Sequence, residues 1–355
     1  MGNMKLFTVG PVEMYPETLA IRNLQIPYFR TDEFSKLMLE NAAMLKELIG
    51  TNNDSKCAFI TGSGSAAMEA VVSNCFGKSD KLLIINGGSF GERFVKICQI
   101  YNISYDEVRL NFGETLTNEK LSLFFDNKYT ALLVNIDETS TGQLYDIHLL
   151  QDFCQKKKMK LVVDAISSFL SDFYEMDKMN IDCSIISSQK ALALAPGLSM
   201  IVMNNTFYHE KVENREPVNL YLNIKEHVKN MERGQTPNTP AVGICFELHQ
   251  RLMEIRKMGV ENHVMMIHQR AEYFREKARL IGLSIPTYPL SNTLTPIIFD
   301  KGNAKEICNI LVNEYNLMVT PNGGALADTV LRVGHIGNLK IEDFDLLLDK
   351  MKELI

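Results

Sequence analysis

Lys160-Leu-Val-Val-Asp-Ala-Ile-Ser-Ser168 and, further on, Asp182-Cys-Ser-Ile-Ile-Ser-Ser-Gln-Lys190 decide how this chain is read. Each is a short run, apolar on both faces, that ends in polar residues and a charge. Such a run without alternation reads as a strand buried between two helix layers, as in a parallel α/β sheet. Similar runs lie at Cys57–Ile60, Leu82–Ile85, Leu132–Ile136 and Leu198–Met203. Polar residues follow most of them: Gly62–Ser65, Asn86–Ser89, Glu138–Thr141, Asp164 and Ser187–Lys190. Open α/β sheets bind ligands outside the carboxyl ends of their strands. The chain therefore collects its candidate chemistry at one edge of one sheet.

Three of these ends carry specific chemistry. Thr61-Gly-Ser-Gly-Ser-Ala-Ala-Met-Glu-Ala70 follows a strand and opens a helix. Its glycines and free first-turn N–H groups suit a phosphate. The P-loop lysine is absent and Ala67 stands where a third glycine of GxGxxG would be, so the stretch also reads as a tight turn with a serine N-cap. Asp164 can keep a pyridinium nitrogen protonated, or serve as a helix cap or loop ion pair. Lys190, if desolvated beside other cations, can form a Schiff base. Each has an ordinary structural explanation alone; the ordered set of phosphate loop, aspartate and lysine at strand ends is what points to a cofactor.

Beyond residue 240 the pattern changes. Val264, Ile267, Ala271, Phe274, Ala278 and Ile281 mark a long amphipathic helix. A strand near Thr293–Phe299, a helix near Lys305–Tyr315, strands near Leu317–Thr320 and Val330–Val333 and a last helix over Ile341–Leu354 complete a small α+β domain. We expect an N-terminal arm over 1–20, a large domain over 21–260 and a small domain over 261–355. The formal charge of −6 without a basic stripe argues against nucleic acid and anionic membrane as partners. No apolar run reaches membrane-spanning length, and no signal-peptide pattern opens the chain. Seven cysteines without a CxxC pair and seven histidines without ligand spacing predict a reduced, cytoplasmic protein with no metal site.

The ordered set resembles the class V aminotransferases of pyridoxal 5′-phosphate (PLP) fold type I along nearly the whole chain. Thr8-Val-Gly-Pro-Val12, Arg30-Thr-Asp-Glu-Phe34, Gly62-Ser-Gly-Ser65 and Gly88-Ser-Phe-Gly-Glu-Arg93 carry the likeness in the first third. Glu138-Thr-Ser-Thr-Gly142, Val163-Asp-Ala165, Ser188-Gln-Lys190, Thr236-Pro-Asn-Thr-Pro240 and Leu331-Arg-Val-Gly-His-Ile-Gly337 follow in family order. The resemblance implies that Lys190 carries the cofactor as a Schiff base and that Asp164 pairs with its ring nitrogen. Ser63, Gly64, Ser65 and Gln189 would meet its phosphate, Phe90 would stack on the ring and Ile166 would pack beneath it. Thr139 would bond the phenolic oxygen or the substrate. Asn238 and Thr239 would reach the phosphate of the other subunit of a homodimer. Arg332, with Gly10 nearby, would bind the substrate carboxylate.

Two positions depart from the family pattern. Phe90 stands where many relatives carry Trp or Tyr, which keeps the stacking face but loses a polar handle. Phe29 replaces a frequent His, which leaves the role of Arg30 open. The implied reaction moves an amino group from a small donor, alanine or serine, to glyoxylate or pyruvate by a ping-pong course. A 2-aminoethylphosphonate–pyruvate transaminase is the alternative. A desulfurase-type lyase fits less well, because Gln189 replaces the usual His and Cys308 falls in a helical pattern. A nucleotide-binding α/β protein without covalent chemistry would leave Lys190 and Asp164 unexplained.

Overall fold

The apolar runs pair into one seven-stranded sheet. In the computed structural model, which describes residues 4–355, the spatial order is Lys56–Thr61, Leu198–Met203, Cys183–Ser187, Lys160–Asp164, Ala131–Asn135, Lys81–Asn86 and Ser104–Arg109. Neighbours run parallel except Leu198–Met203, which is antiparallel to both of its partners. The loop 188–197 before it contains no helix, so the chain lacks the crossover that a parallel return needs. Side chains alternate between two cores. Leu132 and Val134 face one with Met38, Leu45 and Leu150, while Ala131 and Leu133 face the other with Val71 and Phe94. That double burial explains the continuous apolar runs.

Ser104–Arg109 was not legible as a strand. Its sequence, Ser-Tyr-Asp-Glu-Val-Arg, is polar because it lies at the sheet edge, with one neighbour and only Val108 buried. The C-terminal elements fall where their patterns predict: strand Leu294–Ile298, helix Ala304–Tyr315, strands Leu317–Pro321 and Val330–Gly334, and helix Ile341–Glu353. They build a second sheet, covered by a core that includes Phe274, Ile307, Leu311, Phe344 and Leu347. Its edge is an element that the sequence reading left in the N-terminal arm. Lys5–Phe7 pairs in parallel with Leu317–Val319. The helix Val260–Leu280 links the two units, with Ile267 in the core of the large sheet and Phe274 and Ala278 in that of the small one.

Candidate active site

Lys190 lies at the centre of the polar edge. The strand Cys183–Ser187 delivers it, and the side chain is buried. Its Nζ donates to the main-chain oxygen of Val9 at 2.6 Å and stands 5.9 Å from the centroid of Phe90. Gly10, at φ +131°, brings the backbone of the N-terminal arm against the lysine stem. Burial pulls the amine down to about 8. Arg332 and Arg93 push the same way, while Asp137 and Asp164 oppose them. An amine of that affinity can shed its proton near neutral pH, as a nucleophile and proton carrier must.

Asp164 ends the adjacent strand, also buried. Burial pushes its carboxyl up to about 7, against the Ile166 N–H that it accepts at 2.9 Å and the charges of Arg93 and Lys190. A carboxylate held dry with few donors gains most from a cationic partner. Ile166 packs against Gly64, where a Cβ would run into its Cδ1. The phosphate-loop glycine is thus required by the approach of this side chain.

The helix Gly64–Cys75 begins at that contact. Ser63 occupies the N-cap position but makes no capping hydrogen bond, so its hydroxyl remains available to an anion. Ser65 Oγ accepts from Arg93 Nη1 at 2.8 Å. Gln189 Oε1 accepts from Ser187 Oγ at 2.5 Å. A dipole end, free hydroxyls and a guanidinium fit a phosphate group. Arg93 is a residue that sequence reasoning quoted in a motif but gave no role. Its guanidinium also lies 4.8 Å from the Phe90 ring centroid.

The Phe90 loop is fixed by Glu138, another residue left unassigned. Its buried carboxylate accepts from Gly91 N at 3.0 Å, Phe90 N at 3.2 Å, Asn135 Nδ2 at 2.9 Å and Ser140 Oγ at 2.5 Å. With Ser140 N also donating at 3.2 Å, five donors on one side chain hold an aromatic face in place. The only sequence signal for this was a carboxylate at the end of an apolar run.

Arg332 reaches the same region from the small sheet. Nη1 donates to Thr139 O at 3.0 Å and Nη2 to Pro321 O at 2.8 Å, while the buried Nε has no partner. Its guanidinium stays charged although burial pulls it down to about 10. It lines a cleft of about 510 Å³ with Phe90, Leu110, Phe112, Ser140 and Leu326. Asn238 and Thr239 lie on a segment beside the phosphate loop. Their loop is tied to the phosphate loop by Ala241 N, which donates to Thr61 Oγ1 at 2.9 Å, and Thr239 is exposed. Arg30 braces the same loop, donating to Gln235 Oε1 at 2.9 Å and Thr236 O at 3.0 Å.

The family described as aminotransferase class-V matches residues 28–337. An uncharacterized aminotransferase of Methanocaldococcus jannaschii is 31% identical over 94% of this chain and 87% of its own length. An L-aspartate–glyoxylate aminotransferase of Paracoccus denitrificans is 24% identical over 94% of this chain and 86% of its own. The crystal structure of an alanine–glyoxylate aminotransferase from Nostoc sp. superposes with a TM-score of 0.93 at 27% identity, covering 100% of this chain and 96% of that one.

Proposed function

The chain belongs to the class-V aminotransferases, which depend on pyridoxal 5′-phosphate, and on that premise we propose that it transfers an amino group from a small neutral amino acid, alanine or serine, to glyoxylate or pyruvate. The observation that carries this reading is the cleft before Phe90. Arg332 is the only charged residue among those lining it, and Leu110, Phe112 and Leu326 form apolar walls. One guanidinium serves one carboxylate. The second carboxylate of aspartate would lie against apolar walls without a cation, which is costly. The relatives named for aspartate and alanine share glyoxylate as acceptor, which supports that half of the assignment.

The residues divide the work. Pyridoxal phosphate, when bound, supplies a carbonyl that captures the amino group and a ring that draws electrons from the α-carbon. Ser63, Ser65, the first turn after Gly64 and Gln189 hold its phosphate, with Arg93 adding charge. Phe90 and Ile166 would pack against the ring, and Asp164 would hold a proton on its nitrogen. Thr139 hydrogen-bonds the phenolic oxygen or the substrate. Arg332 orients the substrate carboxylate through its unpartnered edge, with Gly10 shaping the wall opposite. Lys190, once displaced, removes the proton from the substrate α-carbon as general base.

The same reading includes a homodimer. Exposed Thr239 and half-buried Asn238 sit on a segment beside the phosphate loop. The groove along it, about 640 Å³, is lined by Leu24, Ile26, Pro240, Val242 and Ile244. Leu24 and Ile26 are 67% and 58% exposed in the single chain, and a second copy would cover them. A cytoplasmic home suits the seven buried, unpaired cysteines. A panel of alanine, serine, aspartate and 2-aminoethylphosphonate, each with glyoxylate and with pyruvate, tests the substrate assignment. Alanine or serine should give the highest kcat/KM; aspartate or the phosphonate in first place would overturn it.

A further inference from the structure

Four consecutive main-chain oxygens of the turn 139–142 accept from four donors of the C-terminal region. Thr139 O takes Arg332 Nη1 at 3.0 Å and Ser140 O takes Asn322 Nδ2 at 2.6 Å. Thr141 O takes the Tyr288 hydroxyl at 2.6 Å and Gly142 O takes Ser291 N at 3.0 Å. Tyr288 and Ser291 are buried, so packing also holds their bonds. Asn322 is half-buried, and the residues after it, Gly323, Gly324 and Ala325, are exposed. A Cβ on either glycine would meet nothing within 4 Å among the described residues. Packing at those glycines therefore does not press the segment against the turn. The amide of Asn322 ties it there, and its Oδ1 accepts Gly323 N at 3.0 Å, which fixes the direction of the side chain.

Ser140 also belongs to the wall that carries Phe90. Its Oγ accepts from Ser89 N at 3.1 Å and donates to Glu138, whose carboxylate accepts Phe90 N and Gly91 N. Asn322 thus joins that wall to the small sheet that carries Arg332. Arg332 spans the same gap, from Thr139 O on one side to Pro321 O on the other. Those oxygens belong to the residues just before Ser140 and Asn322, so the two side chains are adjacent ties between one pair of segments. Arg332 is the tie that must turn toward a substrate carboxylate in the reading above, on which this inference rests. A guanidinium that releases one of its oxygens loosens its own hold, and the Asn322 bond then keeps the segments in register.

We propose that Asn322 is a positioning residue for substrate binding: its bond to Ser140 O holds the Arg332 guanidinium at a fixed distance from the Phe90 face while the substrate carboxylate docks. In this role it touches neither cofactor nor substrate, and it makes and breaks no bond of the reaction. Its effect is selective. A ligand with a carboxylate depends on where Arg332 stands. A ligand with the same reactive group and no carboxylate does not. The size of the effect is that of one neutral hydrogen bond, because Arg332 keeps its charge and its own acceptors.

The test compares two probes that capture the cofactor carbonyl of the holoenzyme through the same aminooxy group. Aminooxyacetate carries a carboxylate and O-methylhydroxylamine does not. Bleaching of the lysine–cofactor absorbance against probe concentration gives a second-order rate for each. In Asn322→Ala the aminooxyacetate rate should fall by about three- to tenfold while the O-methylhydroxylamine rate stays at the wild-type value. Asn322→Leu, which keeps the bulk and removes the donor, takes its place if the alanine variant does not fold. A ratio of the two rates equal to that of the wild type, whether both hold or both fall, overturns the proposal. Arg332→Lys checks the underlying reading with the same pair of probes. It should lower the ratio as well, and an intact ratio in Arg332→Lys overturns the carboxylate role of Arg332 itself.

Discussion

A Cβ placed on Gly10 would stand 2.8 Å from Cδ of Lys190 and 2.9 Å from the main-chain oxygen of Gln189. The N-terminal backbone is thus one wall of the slot that holds the lysine, and Val9 supplies its acceptor. Gly10→Ala combines this close approach with an unfavourable φ of +131°. It should cost about 1–3 kcal/mol of stability and slow formation of the cofactor chromophore. Thermal denaturation and the rate of colour development on adding cofactor to apoenzyme measure the two effects. An alanine variant that is unchanged in both would show that the wall yields.

Asp164→Asn should retain cofactor but slow the donor half-reaction by on the order of 10²-fold or more, because an amide cannot hold a charged ring nitrogen. Stopped-flow measurement of that half-reaction checks it. Turnover near the wild-type rate would make Asp164 a turn residue that merely receives the Ile166 N–H.

Arg332→Lys should raise KM for the keto acid about tenfold or more while the cofactor linkage forms normally. An ammonium cannot reproduce the two-pronged grip, and it also gives up the bonds to Thr139 O and Pro321 O. With an α-amino acid donor both half-reactions suffer alike. With 2-aminoethylphosphonate the donor half would be hurt less, so single-turnover measurements of each half also separate the two substrate readings.

Shared sites predict complementation. Lys190→Ala should be inactive and lack the reducible link, and Thr239→Arg should be inactive through its exposed position beside the phosphate loop. Co-expressed with separate tags, the two should yield heterodimers with partial activity, since one site of each pair would contain both intact contributions. Inactive heterodimers, verified by tandem purification, would count against a site built from two chains.

His263 is 1% exposed, and neither ring nitrogen has a partner. Burial, with Arg251 and Arg270 adding to it, pulls it from its ordinary 6.5 down to about 3. A base depressed on folding adds stability that is complete above pH 6.5 and lost as the pH falls toward 3. His263→Phe should remove this loss. Its urea midpoint should drop less than the wild type's between pH 7 and pH 4.5, and equal drops would show that other groups carry the acid sensitivity.

The residues legible in the sequence were those at the ends of apolar runs. Asp164, Lys190 and the Gly62–Ser65 turn could be located because a buried strand announces itself and the fold dictates what happens at its tip. The residues that act on them were not legible. Glu138 and Asp137 are adjacent in sequence, yet one has a ring of donors and the other has none. That difference arises from segments distant in sequence, Phe90–Gly91 and Ser291, converging on the same turn. Arg30 gave a motif without a function until Gln235 and Thr236 appeared against it. Three residues, Lys5–Phe7, were too few to show a period.

That short strand has a consequence for how the chain comes off the ribosome. Its partner, Leu317–Val319, is made more than three hundred residues later. The seven-stranded sheet uses only segments before residue 204 and can assemble while synthesis continues. The arm must meanwhile wait unpaired, and with it Val9 and Gly10, which shape the lysine's slot. Contacts of such separation form late because the loop must close before they repay it. The pocket around Lys190 is therefore among the last places to become ordered, after most of the hydrophobic mass of the protein is already in place.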